Sequence, residues 1–373
     1  MGLGLCCFSA GAAPLELRQG DRIAIVGNTF AERLQLFGHL ETRMRAAYPE
    51  LRLSFRNLAW SADEVTLQPR PLNFGPLEEH LAFQRVDVAL LFFGANEARA
   101  GAAGVESFER ELRRLLARVG QRSFSGSDGP IRLALVSPIP QEQTELGPDV
   151  VAHNRDLALY RDAVSRVAGE LGVSFFDIFD SVADAMRDGA EPLTINGLHL
   201  SESGDRRVTD MLVGALAGPA ATAPRAAIAA TFPEGGACRW NRLPIVSPGG
   251  SIAVTVDSLV PGTWKLVAGG EVLAEAPAGA WLVGVEVTAQ ALTSVAATAE
   301  DLRRTVVAKD RLFFDRWRAV NGYYIYGDRR EPFGVHSFPP EMTRFDERVA
   351  EHDRRLAELA EPASIDCQLV RAR

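Results

Sequence analysis

Residues 86 to 93 form a nearly continuous apolar run, and this run limits the choice of fold. Such runs are typical of a central parallel strand that is covered on both faces. Shorter apolar runs at residues 22–26, 131–136 and 173–178 predict further strands, and residues 51–58 alternate like a half-exposed strand. The first half of the chain therefore carries five strand signals.

Helical patterns separate these strands. Apolar residues recur at helical spacing in residues 31–48, 105–119, 150–171 and 203–216. Strands that alternate with helices favour a parallel sheet, because each connection must return to the starting end of the sheet. We predict an α/β fold, a three-layer α/β/α sandwich whose parallel sheet has about five strands.

The pattern changes after residue 218. A linker rich in Ala and Pro at residues 219–224 precedes short strand signals, the last at residues 281–287, that Gly and Pro interrupt. Two amphipathic helices, at residues 302–320 and 340–359, then flank an aromatic loop at residues 323–336. We predict a signal-like segment, an α/β domain, a small antiparallel β domain and a helical C-terminal segment that packs on the α/β domain. Their bounds are 1–13, 14–218, 225–295 and 299–373.

Composition excludes several classes of protein. Of the 373 residues, 47% are hydrophobic and 24% are charged, which is typical of a globular protein. The net charge is −8 and there is no basic tract, so we expect no binding to nucleic acid or to an anionic membrane surface. No apolar run reaches the roughly 18 residues that a membrane-spanning helix needs.

The first 13 residues are small and apolar and end in Ala10, Gly11 and Ala12. They resemble the apolar region and the A-x-A cleavage site of a secretory signal. This segment predicts an exported protein, periplasmic or secreted; the alternative is an apolar tail that frays from the fold.

The chain has four cysteines, Cys6, Cys7, Cys238 and Cys367, and none has the spacing of a zinc site. The first two lie in the signal-like segment. Cys238 and Cys367 either form a disulfide bridge between the β domain and the C-terminal tail or are two unrelated thiols.

Polar residues follow the predicted strand ends. Asn28 and Thr29 follow the first strand, residues 57–63 the second and residues 94–97 the third, and residues 196–201 lie beyond the last. Open parallel sheets bind ligands at this edge. The loops supply a hydroxyl, an amide and an imidazole, which are the nucleophile, the oxyanion donor and the base of an acyl-transfer site.

From about residue 21 to 217, the order and spacing of these loops resemble the SGNH (GDSL-type) hydrolase family. By position, Thr29 lies at the family's serine nucleophile, Ala62 at its glycine, Asn96 at its asparagine, His199 at its histidine and Asn196 at its acid. The resemblance implies an ester hydrolase without a metal or organic cofactor. It implies that Thr29, Asn196 and His199 are catalytic. It also implies that the N–H groups of Thr29 and Ala62, with the Asn96 side chain, hold the oxyanion.

The resemblance extends to the substrate. Asn28, Trp60 and Glu97 lie in the same loops and are predicted to contact it. Residues 313–318 and 324–327 resemble the tail of an SGNH-like group of exported proteins from carbohydrate-degrading bacteria, which implies an acetylated carbohydrate. Trp317 and the aromatic residues at 323–326 either stack on a sugar or, more commonly, pack between helix and sheet.

Two positions depart from the family pattern. Thr29 carries a β-methyl group that restricts its rotamers and crowds the path of attack. Asn196 is a neutral amide that cannot stabilise an imidazolium, and an Asp-to-Asn change in a triad can cost about 10⁴ in rate. Asp63, Glu97 or Glu202 could supply the missing charge.

Structural roles are the alternative for each residue. Thr29 with Glu32 fits a capping box, Asn96 could stabilise a turn, and His199 could be an ordinary surface histidine. Two functions therefore remain open, an ester hydrolase and a catalytically impaired glycan-binding protein of the same fold. A hydrogen bond between Thr29 and His199, with a carboxylate on the far ring nitrogen, would favour the hydrolase.

Overall fold

The protein is represented by a computed structural model that describes residues 14–70, 74–127, 129–145, 147, 149–189, 191–217, 225–228, 237–243, 251–256, 259–288, 293–318, 341–361 and 363–372. Three predicted features lie outside the described residues. They are the signal-like segment 1–13 with Cys6 and Cys7, the linker 219–224 and the aromatic loop 323–336.

Five parallel strands form the central sheet, in the order β2-β1-β3-β4-β5. The strands are β1 (Arg22–Gly27), β2 (Ser54–Asn57), β3 (Val88–Phe92), β4 (Arg132–Val136) and β5 (Ser174–Phe176). Every residue of β3 is buried, in agreement with its apolar sequence. The predicted α/β fold is confirmed, and the loops that follow β1, β2 and β3 lie side by side at one edge.

Helices cover both faces of the sheet. They are α1 (Thr29–Phe37), α2 (His39–Ala47), α3 (Leu77–Phe83), α4 (Val105–Gly120), α5 (Val151–Leu171), α6 (Phe179–Asp188) and α7 (Glu202–Ala217). Ala24 and Val26 of β1 pack in one core with α3, α4 and α5, whereas Ile23 and Ile25 pack in the other with α1, α2, α6 and α7. In the described part of the chain, no helix has both the length and the apolar character needed to cross a membrane.

The helix predicted at residues 31–48 is two helices, because the chain bends at Gly38. Gly38 has a φ of 70°, a conformation that glycine adopts at little cost. A Cβ atom there would lie 3.0 Å from methyl carbons of both Val306 and Val307. Those residues belong to a C-terminal helix, α9 (Thr293–Trp317), so the bend makes room for a segment that is distant in sequence.

Two small sheets follow the α/β domain. One has four strands in the order β10-β9-β12-β7, and the other has three in the order β11-β8-β6. The strands are β6 (Arg225–Ile228), β7 (Ala237–Leu243), β8 (Ser251–Val256), β9 (Thr263–Ala268), β10 (Glu271–Pro277), β11 (Val285–Thr288) and β12 (Ala363–Arg371). All pairs are antiparallel except β6 with β8.

Two elements differ from the prediction. Residues 281–287 were expected to form one strand, but a helix, α8 (Ala278–Val283), precedes β11. This helix buries the Trp281 ring completely, and the indole N–H donates to a backbone carbonyl at 3.0 Å. The C-terminal segment, predicted to be helical, ends in a strand, β12. Its alternate residues Cys367 and Leu369 are buried in the core of the β domain, which is the spacing of a strand.

The new strand brings two cysteines into register. Cys367 is the direct partner of Cys238 in the antiparallel pair of β12 with β7. Cα atoms of such partners are about 4.5–5.5 Å apart, a separation that a disulfide bridge can span. The bridge itself stays a prediction.

The C-terminal helices α9 and α10 (Glu341–Leu359) pack on the α/β domain through buried ion pairs. Lys309 of α9 is fully buried, and its Nζ donates to a carboxylate oxygen of Glu41 and, at 3.2 Å, to the carbonyl of Phe55. Asp353 of α10 accepts hydrogen bonds from two guanidinium groups of the α/β domain, at 2.6 and 3.2 Å.

Candidate active site

Thr29 is the first residue of α1, just beyond the end of β1. Gly27 ends the strand with a φ of 142°, and a Cβ atom there would lie 2.2 Å from the carbonyl oxygen of Phe92 in β3. Only glycine permits this close approach. Asn28 then caps α1, because its Oδ1 accepts a hydrogen bond from Phe30 N–H at 3.2 Å. The interpretation of Thr29 as the helix cap is therefore wrong.

Ala62 approaches Thr29 from the loop after β2. Its N–H donates to Thr29 Oγ1 at 3.2 Å. Ala62 has a φ of 65°, so it keeps the left-handed backbone that favours glycine. The loop is held by Asn57, whose side chain donates to the carbonyl of Ala31 at 2.8 Å and accepts from Ala59 N–H at 3.0 Å. No motif singles out Asn57, although a polar residue that ends a strand is a usable signal.

Asn96 and Glu97 connect the loop after β3 to the loop after β2. Asn96 Nδ2 donates to the carbonyl of Asp63 at 3.0 Å. The Glu97 carboxylate accepts from the N–H groups of Gly94 and Val65, both at 2.9 Å. Burial raises the pKa of Glu97, and these N–H groups act in the opposite direction. Glu97 therefore fixes the two loops and lines neither of the site's two cavities, and its contact with substrate stays a prediction.

His199 lies in a turn that Asn196 organises. Asn196 Oδ1 accepts hydrogen bonds from the N–H groups of Leu198 at 3.2 Å and His199 at 2.9 Å. Because the oxygen faces two donors, the amide nitrogen is the atom 2.9 Å from His199 Nδ1. The amide donates to Nδ1, so the ring hydrogen is on Nε2. Burial, with a smaller contribution from Arg33, lowers the pKa of His199 and so favours the neutral ring.

Glu142 anchors the segment before this turn. Its buried carboxylate accepts from the N–H groups of Leu193 and Thr194, at 2.9 and 2.8 Å, and from the Thr194 hydroxyl at 2.5 Å. Thr194 Oγ1 in turn accepts from Gly197 N–H at 2.9 Å. These bonds hold the His199 turn at the sheet edge. No local pattern indicates this role, because Glu142 lies more than 50 residues earlier in the chain.

Thr29, Asn96 and His199 line one cavity of about 800 Å³ that is open to solvent. A second cavity, of about 1030 Å³, shares Thr29 and His199 with the first and is lined on another side by Arg311 and Phe314 of α9. Thr29, Asn96 and His199 therefore meet at one edge of the sheet, with Ala62 hydrogen-bonded to Thr29 and residues of α9 beside them. Their catalytic roles stay predictions.

Two contacts of a working triad are absent among the described residues. Thr29 makes no hydrogen bond to His199, and Nδ1 of His199 faces an amide where a triad has a carboxylate. The three carboxylates considered as replacements have other partners. Asp63 pairs with an arginine, Glu97 binds backbone N–H groups, and Glu202 lies 3.8 Å from an arginine of α9.

One of the three predicted substrate contacts lines the first cavity, and it is Asn28. Trp60 instead lies between Arg70 and Arg318, whose central guanidinium carbons are 4.5 and 4.0 Å from its ring centroid. Its ring packs edge-on against Trp317 at 5.7 Å. Trp317 is buried, so this side chain packs in the core.

Fold and site together define the class of protein. A three-layer α/β/α domain holds a hydroxyl, an amide donor and an imidazole around one cavity, which is the set of groups that acyl-transfer enzymes use. Within the described ranges, no three His, Cys, Asp or Glu side chains are placed to hold a metal ion. The model of the GDSL-like lipase/acylhydrolase family matches residues 20–207, half of the chain. The chain belongs to this family.

Solved structures extend the likeness beyond the matched residues. The fold is similar to that of a gut microbial diltiazem-metabolizing enzyme, with a TM-score of 0.66 and 12% identity, over 97% of this chain and 100% of the other. An acetylxylan esterase from Geobacillus stearothermophilus has a TM-score of 0.42 and 17% identity, over 55% of this chain and 97% of the other. At such identities the likeness shows the fold alone. A comparison with curated proteins gave no match.

Proposed function

We propose that the chain is an ester hydrolase in which Thr29 Oγ1 attacks the acyl carbon. The observation that carries this proposal is the hydrogen bond from Ala62 N–H to Thr29 Oγ1, beside the cavity that Asn96 and His199 line. It brings an oxyanion donor to the hydroxyl. The N–H of Thr29 and the amide of Asn96 complete the set of donors for a tetrahedral intermediate.

Proton transfer limits this reaction. As the bond between Thr29 Oγ1 and the acyl carbon forms, the hydroxyl proton goes to Nε2 of His199, which later gives it to the leaving alcohol. Asn196 opposes this transfer, because its amide keeps a hydrogen on Nε2. In the other tautomer Nδ1–H would face the amide N–H₂, and their hydrogen bond would be lost. We therefore expect turnover about 10⁴-fold below that of a site with a carboxylate.

The proposed substrate is a short-chain ester, with an acetylated carbohydrate as the first choice. The support is the resemblance of residues 313–318 and 324–327 to the tail of SGNH-like proteins from carbohydrate-degrading bacteria. Export stays part of the proposal, and residues 1–13 support it.

A second candidate function is ligand binding without hydrolysis. The hydrogen bond from Asn196 to Nδ1 of His199 favours it, since this bond holds the imidazole as a donor towards the cavity. A donor at Nε2 can bind the carbonyl oxygen of an ester but cannot accept the proton of Thr29.

Hydrolysis measurements separate the two functions. We expect the native chain to release acetate slowly from 4-nitrophenyl acetate and from acetylated xylose. Thr29→Ala and His199→Ala should each reduce this release to the background rate, because the nucleophile or the base is lost. Glu191→Gln, an exposed change outside both cavities, is the control and should keep the native rate. Equal rates in Thr29→Ala and the native chain would contradict the proposal.

A further inference from the structure

Asp205 is a buried carboxyl group that the proposed mechanism does not use. It lies in the first turn of α7, is 2% exposed and lines the same cavity as Thr29 and His199. Among the described residues, its side chain makes no hydrogen bond and no ion pair, and Oδ1 is inaccessible to bulk water. Proteins rarely bury a polar atom without a partner.

Arg33 lines the same cavity and also carries an unpaired buried atom. Its Nε is buried and has no hydrogen-bond partner in the described part of the chain. Its Nη2 is 3.4 Å from the carbonyl of Leu200, which leaves the Nε–H group for another acceptor. Arg33 lines both cavities, so it lies where they meet beside Thr29 and His199.

The two unpaired atoms are complementary. Asp205 offers an acceptor, and Arg33 offers a donor. A hydroxyl is the smallest neutral group that can satisfy both, because it donates one hydrogen and accepts another. An apolar ester group would leave both atoms unpaired, and a carboxylate ligand would face the oxygens of Asp205.

We infer that Asp205 and Arg33 form a subsite for a free hydroxyl group of the ester substrate. The hydroxyl donates to the Asp205 carboxyl group and accepts from the Arg33 guanidinium, both of which line the cavity, and this selects hydroxylated esters over plain alkyl esters. The inference rests on the proposed function, because it takes the ligand to be an ester. Binding measurements test the subsite itself. Burial raises the pKa of Asp205 well above its ordinary value. A neutral carboxyl group still accepts through its carbonyl oxygen.

The test measures binding in a Thr29→Ala chain, where hydrolysis cannot interfere. The probes are glycerol monoacetate, which has two free hydroxyls, and propyl acetate, which has the same carbon skeleton and none. We expect glycerol monoacetate to bind about tenfold more tightly, the value of one to two good hydrogen bonds. Asp205→Leu should remove this preference, and Asp205→Asn, which keeps an acceptor, should retain most of it.

Two controls keep the result clear. Glu191→Gln changes an exposed carboxylate outside both cavities and should leave the preference unchanged. Asp205→Leu should also raise the midpoint of thermal unfolding by about 2–5 °C, since an unpaired buried carboxyl destabilises the fold. A lower midpoint, or the same preference in Asp205→Leu as in the parent chain, would overturn the inference.

Failure of the subsite and failure of the proposed function give different results. If the native chain hydrolyses no ester but the Thr29→Ala chain still prefers glycerol monoacetate, the subsite stands and the hydrolase proposal falls. If the native chain hydrolyses both probes with equal kcat/KM and binds them equally, the subsite is wrong and the hydrolase proposal stands.

Discussion

Ala62 shows how one residue can change while the backbone around it keeps its shape. Its φ of 65° costs an alanine on the order of 1 kcal/mol relative to glycine. The chain retains this conformation because Asn57 and Glu97 fix the neighbouring loop. As a result, the Ala62 N–H group reaches Thr29 Oγ1. A strained alanine beside a cavity is consistent with a site that still binds a ligand.

Ala62→Gly should therefore stabilise the protein without disturbing the site. We expect the free energy of unfolding to rise by about 1 kcal/mol, because glycine adopts positive φ without a Cβ clash. Urea denaturation measures this change. Arg52→Gly is the matched control, since Arg52 also has a positive φ, 49°, but precedes β2, whereas Ala62 follows it and donates to Thr29. A loss of stability in Ala62→Gly together with a gain in Arg52→Gly would show that the Ala62 methyl group makes a needed contact.

Spacing alone located the residues of the site but not their contacts. Thr29, Ala62, Asn96 and His199 follow strand ends, and strand ends can be read from apolar runs. The capping role of Asn28 could not be separated from that of Thr29, because both residues favour helix starts. The tautomer of His199 and the burial of Asp205 depend on folded geometry, which no local pattern contains.

At the scale of elements, long-range packing decides what local sequence leaves open. Four strands of the central sheet were predictable from apolar runs, and β2 was predictable from an alternating pattern. The break between α1 and α2 was not, since Gly38 is needed only where α9 packs against it. α9 is attached through Lys309, whose ammonium group lies between the buried carboxylates of Glu41 and Asp310. Burial raises the pKa of Asp310 to about 7.

Lys309→Met should loosen this attachment. The change leaves the buried Glu41 carboxylate without one of its cations, and breaking such a pair typically costs about 3–5 kcal/mol. We expect a loss of that size in urea denaturation at pH 7. Lys265→Met is the control, because the ion pair of Lys265 with Glu275, at 3.3 Å, is partly exposed and contributes about 0–1 kcal/mol. Equal losses in the two variants would contradict a special role for the buried pair.

At the scale of the whole molecule, segments outside the family match complete the architecture. Residues 20–207 contain the sheet and the predicted catalytic residues, but Arg311 and Phe314 of α9 line the second cavity. The last strand, β12, returns to the β domain and pairs in register with β7. The second cavity is therefore lined by both the α/β domain and a C-terminal helix, which the sequence of the first domain cannot reveal.

Asn196 holds His199 in the tautomer whose Nε2 carries the hydrogen, and this nitrogen cannot then accept the proton of Thr29. Asn196→Asp replaces the amide donor by an acceptor while the bonds from Leu198 and His199 N–H can remain. The new carboxylate accepts from Nδ1–H, frees Nε2 and raises the pKa of His199.

The decisive measurement is the rate of acetyl-ester hydrolysis by Asn196→Asp as a function of pH. We predict a kcat about 10⁴-fold above that of the native chain. The rate should rise with pH through the raised pKa of His199, because only the neutral ring accepts a proton. Adding Thr29→Ser should increase it beyond the product of the single effects, since triad members act as a unit, and adding His199→Ala should abolish it. A folded Asn196→Asp chain with native activity at every pH would contradict the account.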